Sequence, residues 1–93
     1  MRADDYKQSW AVTLRYLAAS RYYLPERLPS GEAESVFDQV QEYLHHNELG
    51  LALEAAQELG ELCNASPEYW QELLLAAEKM ELVDASAQIR SRL

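Results

Sequence analysis

The sequence predicts an all-α protein, a small antiparallel bundle of four to five helices. Three observations carry that expectation. Apolar residues recur at three- and four-residue steps through most of the chain, and no segment shows strand alternation or an Asn-Gly hairpin turn. Prolines and capping residues fall at the joints between the periodic runs. With 93 residues, 48% of them hydrophobic, the chain has room for one domain, residues 1–93, and one modest core.

The first helix is expected from about Asp4 to Tyr23. Tyr6, Trp10, Thr13, Leu14 and Leu17 form one stripe, and Val12, Tyr16, Ala19 and Tyr23 form a second. A helix with two apolar faces either lies at the centre of a bundle or shows aromatics to a partner; we place it at the centre. Pro25 and Pro29 end it. Ser30 is the N-cap of a second helix that buries Ala33, Val36, Phe37, Val40 and Leu44. A break is expected at His45-His46-Asn47, with Asn47 capping a third helix from Glu48 to about Cys63. That helix buries Leu49, Ala52, Leu53, Ala56, Leu59, Gly60 and Cys63. Gly50 and Gly60 each cost a helix about 1 kcal/mol, which close helix approach explains, as does Gly50's place in the first turn. Ser66 and Pro67 open a fourth helix that buries Trp70, Leu73, Leu74, Ala77 and Met80. Asp84 is expected to cap a short fifth helix, with Ile89 inward and Arg90 and Arg92 at its C-terminal end. Glu48-Leu49 and Ala52 echo further along the chain at Glu81-Leu82 and Ala85. The spacing suggests tetratricopeptide-like hairpins, but only about one and a half units fit, so we read it as antiparallel helix pairing.

Charge is distributed unevenly. Sixteen acids and eight bases give a net charge of −8, yet residues 28–78 hold eleven acids and no lysine or arginine. Such a balance argues against nucleic acid as a partner, which wants a basic stripe, and against anionic membranes. Nothing approaches the ~18 apolar residues of a membrane span. The start Met1-Arg2-Ala3-Asp4-Asp5 has no apolar run behind it, which predicts no secretory signal and a cytoplasmic location. The single Cys63 excludes an internal disulfide framework and makes a poor zinc site with two histidines.

No catalytic constellation is visible, and neither an enzyme nor a cofactor is expected. Glu42 and His45 have the Glu-x-x-His spacing of di-iron bundles, but such sites need a second motif and two further acids. Cys63 falls on a buried stripe without a basic neighbour, which fits a core thiol. Acidic outer faces often serve solubility alone. Here Glu34/Asp38, Asp38/Glu42, Glu54/Glu58, Glu58/Glu61 and Glu68/Glu72 are like-charge helical neighbours, each costing ~0.2–0.5 kcal/mol. A field of one sign that repays this cost by steering a basic partner is the functional reading. Asp38, Glu42, Glu54, Glu58 and Glu61 are then expected to form one surface across the second and third helices. Tyr43 and His46 supply its less charged centre. We expect a monomer, with Tyr16 and Tyr23 leaving a dimer through the first helix as the alternative.

The segment Val40-x-Glu42-Tyr43-Leu44-x-His46-Asn47-Glu48-Leu49-Gly50-Leu51-Ala52-Leu53-Glu54 resembles the core of the MafI family of bacterial immunity proteins. The later Ala76-Ala77-x-x-Met80-x-Leu82 is similar to the C-terminal part of that family. The resemblance implies a small helical protein, encoded beside a polymorphic toxin, that neutralises its cognate toxin domain. Many such domains are nucleases, whose phosphate-binding clefts are basic. The expected function is therefore immunity through the acidic face. A helical-hairpin adaptor that binds a peptide is the alternative.

Overall fold

Helix boundaries follow from capping chemistry at each joint. The computed structural model describes the backbone of residues 2–93 and side chains from Trp10 onward. Its elements are α1 (Arg2–Ser20), a 3-10 turn (Arg21–Tyr23), α2 (Gly31–His45), α3 (Leu49–Leu62), α4 (Pro67–Lys79) and α5 (Val83–Arg90). The fold is the expected all-α bundle, with no strand among the described residues. The first α-helix stops at Ser20, short of the expected Tyr23. Leu24, which precedes Pro25, is extended (φ −90°, ψ 154°) as pre-proline sterics favour, and the chain tightens into a 3-10 turn before it. Ser30 does cap α2, its hydroxyl accepting from the Ala33 N–H at 3.1 Å.

Three successive helices end in the same motif. The N–H groups of Asn47 and Glu48 return to the carbonyls of Leu44 and Tyr43, closing α2 as a Schellman cap. Asn64 and Ala65 do the same on Glu61 and Gly60, and Glu81 and Leu82 on Glu78 and Ala77. The left-handed position is Asn47 (φ 57°), Asn64 (φ 49°) and Glu81 (φ 59°) in turn. Asn47 therefore ends α2 instead of capping α3, because an Asn that adopts positive φ satisfies the carbonyls behind it. Glu48 precedes α3 with no side-chain cap. Ser66 stands at the N-cap of α4, but its hydroxyl makes no cap bond. Asp84 likewise is not the cap of α5; that position is Leu82, and Asp84 sits in the first turn.

The motif recurs at even spacing, from Asn47 to Asn64 to Glu81, so α3 and α5 begin two such steps apart, at Leu49 and Val83. The sequence echo, which pairs Leu49 with Leu82, is thus one position out of structural register. At that offset Ala52 and Ser86 are both buried, as are Ala55 and Ile89, whereas Leu49, Leu53 and Ala56 are buried and their counterparts Val83, Ala87 and Arg90 are exposed. Glutamate is the costly member of the series, since a Cβ in the left-handed region is unfavourable by ~1–2 kcal/mol and Asn relieves part of this. Glu81→Gly is expected to raise stability by about 0.5–1 kcal/mol, the gain being reduced by glycine's freedom in the unfolded chain. A urea midpoint that does not rise would contradict the left-handed geometry at this turn.

The centre of the bundle is α4, not α1. It packs against α1, α3 and α5 and buries Tyr69, Trp70, Leu73, Leu74, Ala76 and Ala77. Alanines at 76 and 77 let neighbouring backbones approach on two sides, which the bulkier α1 does not permit. Thr13, Leu17 and Ser20 of α1 are buried, whereas Val12, Tyr16 and Ala19 are half-buried and Tyr23 is exposed. Trp70 is buried, but Trp10 keeps 41% of its surface. Tyr6, expected on the first stripe, lies outside the described side chains.

Tyr69, which is not among the residues expected to be buried on the fourth helix, is a central core side chain. It is 1% exposed, and its hydroxyl donates to the Ala56 carbonyl at 2.7 Å. Gly60 explains why the two helices come so close. A Cβ there would lie 2.7 Å from Trp70 Cζ2 and 2.8 Å from Tyr69 Cε2, so only glycine fits. Gly50 differs, because nothing lies within 4 Å of its Cβ position.

Candidate functional site

Every charged side chain among those described lies outside the core, where the buried polar residues are Thr13, Ser20 and Ser86 alone. Their polar atoms are satisfied; Ser20 Oγ, for instance, donates to the Leu17 carbonyl at 2.7 Å. Any recognition therefore happens at the surface.

A groove of about 730 Å³ lies between α3 and the start of α5. Glu54, Glu58 and Glu61 line it from α3, and Glu81 and Asp84 line it from the α4–α5 turn and α5. Helical spacing puts the three α3 acids on one stripe, and the even stacking of the helical pairs sets the first turn of α5 beside it. Leu82 and Val83 supply exposed apolar surface beside the acids. Among the described residues no lysine or arginine lines this groove. Arg92 pairs with Glu61 from the C-terminal segment, its guanidinium 4.9 Å from the Trp70 ring centroid. Arg90 pairs with Glu78 at 2.5 Å. Both pairs are exposed and worth about 0–1 kcal/mol each, so their main effect is to pin the chain end onto α3 and α4. Among the described residues no ion pair engages Glu54, Glu58, Glu81 or Asp84.

The seven residues expected to form one face are placed in two groups. Glu54, Glu58 and Glu61 come together in the groove. Asp38, Glu42 and His46 are exposed on α2 or its C-cap, and Tyr43 is half-buried against the core. None of these four lines the groove, because the acidic stripe of α3 turns toward α5 while α2 packs along α3 elsewhere. Glu81 and Asp84 were missed in the sequence. The signal for them was the helical-hairpin period, which in its structural register sets Asp84 opposite Gly50. Glu81 is also the residue that accepts left-handed geometry at a cost its two asparagine counterparts avoid. Residues that break a local rule in this way concentrate at functional sites.

Other reactive groups are quiet. The His45 and His46 rings meet edge to face at 5.2 Å, and among the described residues no three His, Cys, Asp or Glu side chains converge so as to hold a metal ion. Cys63 is half-buried at the end of α3, less enclosed than its place on the apolar stripe suggested, and burial raises its thiol above the ordinary value. Burial also raises the Tyr69 phenol, with Cys63 adding to the shift. The folded state thus holds the Tyr69 proton more tightly than the unfolded chain does. Its contribution to stability is complete below the unfolded phenol's value near 10 and is lost as pH rises beyond it. Alkaline denaturation followed in parallel for the native protein and Tyr69→Phe should show a steeper loss above about pH 10 in the native protein. Identical slopes would mean Tyr69 is not enclosed.

Compared with protein-family profiles, curated proteins and solved structures, the chain matches none. No helix of the described residues is long and apolar enough to cross a membrane.

Proposed function

We propose that this protein is an immunity protein of the MafI type, acting in the cytoplasm by binding a cognate toxin domain with a basic surface, a nuclease being the class that fits. The observation that carries this reading is the acidic groove. Five carboxylates from α3, α5 and the α4–α5 turn line one concavity, with no lysine or arginine among its described lining residues. Such a surface raises encounter rates with a cationic partner and disfavours anionic ones. The resemblance over Val40–Glu54 supports the same reading, since that segment ends in the first acid of the groove. Binding here needs no cofactor and no chemistry from the chain itself.

A helical-hairpin adaptor is the second reading, favoured by a specific observation: the evenly spaced recurrence of the helix-ending motif at Asn47, Asn64 and Glu81. Repeated helical pairs create concave surfaces used for binding. One experiment separates the two. The purified chain is mixed with the domain encoded by the adjacent gene, and complex formation and loss of that domain's activity are measured together. Immunity requires both, at equimolar protein. Binding without inhibition would favour the adaptor, and absence of binding would overturn the immunity reading.

A further inference from the structure

The acidic groove continues beyond α3 and α5. A second concavity of about 440 Å³ shares Gly50, Glu81 and Leu82 with it and runs on to Trp10, Leu49 and Met80. The two adjoin at these shared residues to make a channel with Trp10, Leu49, Met80 and Lys79 at one end and Glu54 and Glu58 at the other. Apolar side chains stand open along it, with Val83 78% exposed, Trp10 41% and Leu82 37%. Contiguous exposed apolar surface beside a charged rim is the signature of a protein-binding site.

We propose that this channel binds a basic amphipathic helix, whose apolar stripe seats on Trp10, Leu82 and Val83 and whose lysines or arginines face Glu54, Glu58 and Asp84. The inference rests on the reading of the groove as a partner-binding surface and adds the form of the partner's contact segment. A helix is selected over an extended peptide by backbone accounting. The described residues contain no strand edge to pair with, so an extended peptide gains no main-chain ladder. A helix satisfies its own backbone and needs only side-chain contacts. Charge selects a cationic ligand and disfavours a second copy of this chain, which carries −8. Lys79, at the Trp10 end, sets the polarity by repelling the cationic half toward Glu54 and Glu58, which no ion pair engages among the described residues.

Gly50 offers a clean probe. It lies where the two concavities meet and nothing stands within 4 Å of its Cβ position, so a large side chain there enters the channel and not the core. Three labelled peptides of about five helical turns are titrated against the protein by fluorescence anisotropy. One is leucine and lysine at amphipathic spacing, one lysine and alanine, and one leucine and glutamate. The leucine–lysine peptide is expected to bind at least about tenfold more tightly than the lysine–alanine peptide, and the leucine–glutamate peptide not at all. Gly50→Trp should weaken the first peptide by at least about tenfold, while circular dichroism stays native and the melting temperature does not fall. Gly50→Gln is the smaller plug should the tryptophan disturb the fold, and Gly50→Ala is the control that should bind normally. Equal binding of the first two peptides, an unaffected plug variant, or self-association that shuts the peptide out would each overturn the proposal. Because the peptides are synthetic, failure of the adjacent-gene domain to bind leaves this result standing. A toxin domain that binds both plug variants normally sinks this inference alone.

Discussion

Gly60→Ala is expected to lower stability by about 1–3 kcal/mol in the native protein, and to become neutral or stabilising once Trp70 is replaced by alanine. In an open helix the same change gains up to about 1 kcal/mol, because alanine gives up less backbone entropy. The new methyl group, however, meets two Trp70 ring atoms at 2.7 and 2.8 Å and Tyr69 Cε2 at 2.8 Å. Neither ring yields easily. The Tyr69 hydroxyl is tied to the Ala56 carbonyl, and Trp70 lies under Arg92 and edge-on to Tyr69 at 5.7 Å. Trp70→Ala alone should cost about 3–5 kcal/mol, a loss that for a domain of this size moves the melting temperature by well over about 10 °C. In that background the methyl group at position 60 occupies vacated space and Tyr69 has room to move. The double-mutant cycle, measured by urea denaturation, should return a coupling of at least about 1 kcal/mol. Additive single effects would mean the α3–α4 contact is looser than these distances require.

Charge reversal in the groove should have the largest effect on binding. Glu54→Lys with Glu58→Lys exchanges two carboxylates for two cations on the α3 side. If the proposed toxin domain is basic, association slows by about tenfold or more at low salt, and the dissociation constant rises by roughly a hundredfold, about 2.7 kcal/mol. The defect shrinks as ionic strength rises, because the Debye length falls from about 10 Å at 0.1 M to about 3 Å at 1 M. Folding stability should hold or improve slightly, since the reversed charges face Glu61, Glu81 and Asp84. Protection of cells should fail in step with binding. A comparison with Asp38→Lys and Glu42→Lys on α2 then separates the two acidic groups, as only the α3 pair lines the groove. Normal binding and protection by the α3 variant at low salt would assign these acids to solubility and move the interface elsewhere.

Helix number, order and most boundaries were legible from local chemistry. The periodic runs, Ser30, Pro67 and the prolines at 25 and 29 act within a few residues of themselves, so their meaning does not depend on the fold. The three α3 acids of the groove were legible for the same reason: exposure on one helix follows from periodicity. Capping by asparagine was ambiguous. Asn47 has the chemistry to begin one helix or end another, and only the path of the chain on both sides chose the second.

What the sequence alone determined is an acidic, all-helical chain with a core built on apolar stripes, because those properties are sums over local residues. The tertiary structure decided which helix lies at the centre. Apolar stripes alone do not rank α1 against α4, and α4 takes the interior because its alanines and the notch at Gly60 permit close approach on several sides. It also decided which acids share a surface. Glu54 and Glu58 share a groove with Glu81 and Asp84, from which the whole of α4 separates them in sequence, whereas Asp38 and Glu42 on the adjacent helix lie outside that groove. Proximity of this kind depends on how successive helical pairs stack, and stacking is set by long-range packing that no single helix encodes.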